Sequence, residues 1–297
     1  MPIEQPPSTT SYIIFKKGSK IYAKNGTHGH IEYEDTDAAT VINWAINQLS
    51  SGGRVLLKNG TYTISSPIIP SNYIVLSGED PFKTILKAKD GLNDSIIKYT
   101  GTDDLKEFTI EHLTIDGNKS NQTAGHGIYI THPSRVIIRH VKVTDTYSNG
   151  IYLQGTPSTA WGSHISFCYI YNAGQDNIAI EGVNDGHINN VVGGWPTRNN
   201  LYLKGTLWLV TNSHFGGGGS GYAVVKLETC TFNMISNCCV ESGEDTGILI
   251  AEDAKYNILY GCHIRQNGGN GIYITCLLYT SDAADELDGV DLGGRRI

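Results

Sequence analysis

The sequence has no run of 18 consecutive apolar residues, so nothing in it reads as a membrane-crossing helix. It has no basic block either. Lys and Arg number 22 against 29 Asp and Glu, a net charge of −7, which argues against nucleic acid as a partner. The opening MPIEQPPSTT lacks the charged and apolar regions of a secretory signal. The 35 glycines follow no three-residue period, which excludes collagen, and an apolar fraction of 39% is too high for a disordered chain. No CxxC pair occurs among the six cysteines, and Cys238 and Cys239 point to opposite faces of an extended strand, so no metal site is expected from cysteine.

From Cys276 the character of the sequence changes. CLLYTSDAADE resembles a translation of the transposase-end adapter of sequencing libraries, and the closing VDLGGRRI resembles the flow-cell primer that follows it, in one reading frame. Residues 276–297 are therefore expected to be adapter-derived, with the native repeat cut short before them, and are set aside from fold reasoning. That tail holds five acids and two arginines, so the chain without it carries −4 and five cysteines.

What is present is a repeat. HGIYI at 126–130 recurs as NGIYL at 149–153, DNIAI at 176–180, NNLYL at 199–203, a degenerate YAVVKL at 222–227, TGILI at 246–250 and NGIYI at 270–274. With Gly127, Gly150, Asn177, Asn200, Tyr222, Gly247 and Gly271 as equivalents, the steps are 23, 27, 23, 22, 25 and 24. A period in the low twenties, with β-branched runs split by Gly, Asn and Asp, means one coil stacked on the next. The regular Leu and Asn spacing of leucine-rich repeats is absent. The expected fold is all-β, a right-handed parallel β-helix over residues 53–275.

Alternation turns Ile128, Ile130, Ile151, Leu153, Ile178, Ile180, Leu201, Leu203, Ile248 and Ile250 inward. Asn190, Asn212 and Asn237 recur once per coil and are expected to hydrogen-bond along the axis as a stacked ladder. One position later, Cys168, Val191, Ser213, Cys238 and Cys262 form a column of small side chains, its cysteines reduced fillers.

Residues 1–52 read as an N-terminal segment ending in a cap. DTDAATVINWAINQL offers Asp35, Thr36 and Asp37 as N-caps and a stripe of Ala38, Val41, Ile42, Ala45, Ile46 and Leu49, the pattern of a helix covering the open first coil. GGRVLLKNGTYTIS then starts the solenoid, and GGGGS at 216–220 is expected to be a loop before a repeat strand.

The capping run followed by xGIxI coils resembles the pectate lyase superfamily, the pectin-lyase-like β-helix proteins, over roughly residues 30–275. The resemblance implies the fold and an extracellular or cell-surface place. It implies no single chemistry, because that superfamily includes hydrolases, lyases, epimerases, phage tailspikes and non-catalytic surface proteins.

In that superfamily the substrate groove crosses the sheet built from the aligned strands. Its outward column here is expected to be Tyr129, Tyr152, Ala179, Tyr202, Val224, Leu249 and Tyr273. Two residues further on come Gln154, Glu181, Lys204 and Lys226. Aromatic rings about 4.8 Å apart make an apolar strip on which sugar faces pack, and the lysines suit a carboxylated sugar. The turn before each strand is where polygalacturonase-type hydrolases carry their acids. GQDNIAI at 174–180 is similar to their Gly-Asp-Asp segment, with Gln175 in place of the first acid and Asp176 matching the second. Asn149 stands where another acid is expected, Gly-His-Gly at 125–127 lies two coils before Asp176 instead of after it, and Arg-Ile-Lys is absent.

Inverting hydrolysis needs two carboxyls about 6.5–9.5 Å apart, and no acid precedes the neighbouring strands. Elimination or epimerisation would draw on His126, Arg198, Lys204 and Lys226, with Tyr152 or Tyr202 as proton donors. A lyase of the superfamily would take Ca2+; otherwise no cofactor is expected. The catalytic candidates are thus Asp176, His126 and Arg198, and the substrate-binding candidates Tyr129, Tyr152, Gln154, Glu181, Tyr202, Lys204 and Lys226. Three functions stay open: an enzyme hydrolysing or eliminating an acidic, uronate-containing polysaccharide, a non-catalytic glycan-binding surface or tailspike-type β-helix, and a structural adhesin-like solenoid. A polysaccharide is the expected partner, and the oligomeric state is not fixed by the sequence.

Overall fold

Each coil is short because left-handed residues bend the chain every few positions. At the bend after the first strand of successive coils stand His112, His140, Phe167, Asn190, Asn212 and Asn237, all with φ between 51° and 54°. The computed structural model describes residues 9–156, 160–251 and 253–275, and within them three parallel sheets run the length of a solenoid. The first holds strands from Gly53–Leu57 to Ile258–Tyr260, and the second from Gly60–Ile64 to His263–Arg265. The third runs from Ile97–Tyr99 to Ile272–Ile274. The adapter-like segment and Cys276 lie outside the described residues.

Asn190, Asn212 and Asn237 therefore act differently from expectation. They supply the left-handed backbone that Asn adopts more readily than most residues, and their side chains are half-buried or exposed, not an interior ladder. Interior asparagines that link coils include Asn177 and Asn200, fully buried, with Asn177 Nδ2 donating to Asn200 Oδ1 at 2.8 Å and to the Gly194 carbonyl at 3.0 Å. Both replace a glycine of the repeat. Room for them comes from Gly193, whose added Cβ would lie 2.8 Å from Asn200 Oδ1, in a column otherwise filled by Ile170 and Phe215.

Alternation holds in the core. Ile128, Ile130, Ile151, Leu153, Ile178, Ile180, Leu201, Leu203 and Ile248 are buried, and Ile250 is half-buried. Burying each such side chain contributes roughly 1.5–3 kcal/mol. Cys168, Val191, Ser213 and Cys238 are buried in their column, with Cys262 half-buried, and the cysteines are free. Burial pushes the Cys168 thiol up to about 12 and Cys238 up to about 11.

One register differs from the sequence reading. Lys226, not Val224, pairs with Tyr202, and Val224 is the equivalent of Asn200. A slip of two residues keeps the same side chains inward, so alternation cannot detect it.

At the N-terminal end, Asp37 caps the helix Ala38–Asn47 by accepting the Thr40 N–H at 2.8 Å. Ala38, Val41, Ile42, Ala45 and Ile46 are buried, while Leu49 packs just past the last turn. The strands Tyr12–Lys17, Lys20–Asn25 and Ile31–Asp35 add an antiparallel meander to the first sheet, joined to it by parallel pairing of Tyr12–Ile14 with Val55–Leu57.

Candidate functional site

On four successive coils the residue two before the third-sheet strand faces a backbone N–H of the next coil, and its side chain accepts it. Ser95 Oγ accepts the His126 N–H (3.1 Å), and His126 Nδ1 accepts that of Asn149 (3.1 Å). Asn149 Oδ1 accepts the Asp176 N–H (3.0 Å), and Asp176 Oδ1 accepts both the N–H and the Nδ2 of Asn199 (2.9 and 2.6 Å). Asp176 is 2% exposed, and burial raises its pKa above the usual carboxylate value despite those bonds and Arg198. Arg198 lies 3.8 Å from Asp176 Oδ2 and stacks over the Tyr222 ring, 5.4 Å from its centroid. Burial likewise lowers His126 to about 4, so its imidazole is neutral at neutral pH.

Outward from the same strands stands a second array. Tyr129 and Tyr152 stack at 5.1 Å between centroids and 9° between planes, with the His126 ring 5.2 Å from each. Tyr129 donates to Gln154 Oε1 at 2.8 Å. Ala179 is 1% exposed beneath its neighbours, so the strip is notched there and not flat as expected. Tyr202 follows, donating to Glu228 Oε2 at 2.6 Å, and Lys226 Nζ sits 5.5 Å from the Tyr202 ring and 3.0 Å from Glu228 Oε1. Burial pushes the Tyr202 hydroxyl up, reinforced by the Glu228, Glu181 and Asp176 carboxylates. Burial alone would raise Glu228, but the Tyr202 and Lys226 hydrogen bonds hold it below its ordinary value.

The chain's residues 157–278 match the family model described as a right handed beta helix region. Among solved structures it is similar to the mannuronan C-5 epimerase AlgE6 A-module of Azotobacter vinelandii, at 16% identity and a TM-score of 0.63, covering 80% of this chain and 76% of that one. A right-handed parallel β-helix is the fold of this protein. The β-helix is also similar to ORF18 of Geobacillus virus E2, at 15% identity and a TM-score of 0.63 over 86% of this chain and 66% of that one. A further likeness is to tailspike gp49 of the Acinetobacter baumannii bacteriophage Fri1, a capsular polysaccharide depolymerase, at 14% identity and a TM-score of 0.55 over 80% and 54%. No curated protein matches the sequence.

Around Tyr202 the β-helix gathers Asp176, Glu181, Arg198, Lys204 and Lys226, with His126, Tyr129, Tyr152 and Gln154 on the coils before. Lys226 stands in the tyrosine column, two residues along the strand from where the sequence reading put it, and Glu228 takes the place beside Lys204. Glu228 is the residue that reading missed. Its signal was present: IYIT, IYLQ, IAIE, LYLK and VKLE align without a gap once the frame moves by two.

Proposed function

We propose that the outward face of the third sheet binds an extended acidic polysaccharide. The observation that supports this best is the Tyr129–Tyr152 stack continued at Tyr202, bordered by Arg198, Lys204 and Lys226. Aromatic faces offer apolar area to sugar rings, and the cations offer partners to uronate carboxylates. The epimerase and the phage depolymerase with this fold are named for polysaccharide substrates. Such a ligand places the protein outside the cell or at a surface. The test is binding of pectin, polygalacturonate, alginate and a neutral glucan to the wild type and to Tyr152→Ala, Tyr202→Ala and Lys226→Ala. Each tyrosine removal is expected to weaken affinity about tenfold, some 1.4 kcal/mol. Lys226→Ala should weaken only the acidic polymers. Equal binding by all four proteins, or preference for the neutral glucan, refutes the assignment.

A second reading, hydrolysis of the bound chain, is supported by Glu181 and Glu228. They stand two rungs apart on the outward face, about 9.6 Å by strand spacing, near the upper edge of the inverting separation, with the Tyr202 hydroxyl held by Glu228. A Glu228 kept ionised suits the base that activates water. Asp176, His126 and Arg198 form the alternative catalytic set. Product masses separate them: a gained water lost in Glu228→Gln supports the glutamate pair, and one lost in Asp176→Asn supports the buried set. Unsaturated products point to elimination assisted by Arg198 and Lys226. Bound polymer without products leaves a binding module.

A further inference from the structure

The second sheet carries a different constellation on its outward face, near the C-terminal end of the described solenoid. His214 and Cys239 are in register on adjacent strands, as are Gly216 and Glu241. Because Gly216 has no side chain, the His214 imidazole reaches across it, and Nε2 lies 2.9 Å from Glu241 Oε1. The Cys239 sulfur completes a cluster in which the three donor atoms all fall within 4.8 Å of one another. Glu241 Oε2 is held separately by Arg265 Nε at 2.5 Å.

We propose that His214 Nε2, Cys239 Sγ and Glu241 Oε1 bind a Zn2+ ion that clasps two adjacent coils, with water as the fourth ligand. A thiolate, an imidazole and a carboxylate form a donor set that zinc takes in tetrahedral sites, whereas hard cations such as Ca2+ avoid sulfur. Arg265 orients the carboxylate, as outer partners of metal ligands do, and its guanidinium also neighbours Cys239. On binding, the proton between His214 Nε2 and Glu241 moves to Nδ1 or to solvent and Cys239 releases its thiol proton to solvent, so uptake weakens as pH falls. No redox change is involved. The ligands were invisible as a motif because 24 residues separate His214 from Cys239, one full coil, and the coil alone brings them together.

The experiment titrates Co2+, then Zn2+, into the tag-free, chelator-treated full chain. Equimolar uptake with a sulfur-to-cobalt charge-transfer band is expected, displaced by Zn2+. The band should vanish in Cys239→Ser and persist in Cys262→Ser, whose native sulfur turns toward the Ile235 carbonyl. Zn2+ affinity should fall about tenfold or more in His214→Ala. Zn2+ should also raise the thermal midpoint of the wild type but not of Cys239→Ser. Circular dichroism confirms that each variant is folded. Absence of the band at equimolar Co2+, or its retention in Cys239→Ser, overturns the site.

Discussion

Replacing Asp176 by Asn or by Ala separates a structural carboxylate from a catalytic one. Alanine removes the acceptor of two buried donors, the N–H and Nδ2 of Asn199. Each unsatisfied donor costs about 1–3 kcal/mol, so the loss should be about 2–6 kcal/mol. Asparagine keeps Oδ1 in the ladder, as Asn149 does on the preceding coil. It gives up the 3.8 Å contact with Arg198, whose side chain is 37% exposed, a pair contributing less than about 1 kcal/mol. It also removes a buried charge, and such replacements are often neutral or stabilising. At neutral pH the Asn variant should therefore equal the wild type or exceed it by up to about 2 kcal/mol.

The sign with pH follows from burial, which raises the folded pKa above the unfolded value of about 3.9. Between those values the native state holds more protons, so wild-type stability falls as pH rises through the window. Asparagine does not titrate, so its advantage should be smallest near pH 3.5 and largest at pH 7. Urea unfolding followed by far-ultraviolet circular dichroism at both pH values measures this. A cost above about 1 kcal/mol for Asn at pH 7, or an advantage that grows on acidification, refutes the reasoning.

Gly186→Ala should cost about 3 kcal/mol, because its Cβ would sit 2.3–2.5 Å from three ring carbons of the fully buried Trp208. That ring cannot yield without losing its Nε1 bond to the Val183 carbonyl at 2.7 Å, and a lowered urea midpoint with altered tryptophan fluorescence is the readout. Glu111, 2% exposed, is clamped by Arg54 at 2.6 Å and Arg139 at 2.7 Å. Burial alone would raise it, yet the two guanidinium groups hold its pKa below the ordinary value. Its contribution is therefore present above the unfolded value of about 4.3 and lost as pH falls through the folded value. The stability gap between wild type and Glu111→Gln should narrow as pH falls below about 4.3, and a gap that stays constant on acidification would contradict the clamp.

The solenoid was legible because a coil repeats its burial pattern every low-twenties residues, and Ile128, Ile151, Ile178 and Leu201 report it directly. The capping helix was legible from Asp37 and its apolar stripe. The cross-coil register at residues 222–228 was not, since Val224 and Lys226 have the same parity and the loop at 217–221 sets the offset. The N-terminal meander was not legible because YIIFKK and KIYAKN find their partner only at the three-dimensional edge of the first sheet. His214, Cys239 and Glu241 were missed for the same reason.

Asp176 and His126 show why the catalytic part resisted sequence reasoning. Four successive coils satisfy an N–H ahead of the next third-sheet strand with a side chain, and those able to accept it in a small buried space are Ser, His, Asn and Asp, seen here as Ser95, His126, Asn149 and Asp176. Those types overlap with the residues that hydrolases use, so a fragment resembling a catalytic motif at this position has a structural cause of its own. The outward columns carry no such duty. The side chains of Tyr202, Lys226 and Glu228 hydrogen-bond one another instead of a backbone group, and their chemistry is free to be set by what the surface binds. A β-helix of this kind is therefore read for function along the outward strands, after the residues that close the ladder have been taken out of consideration.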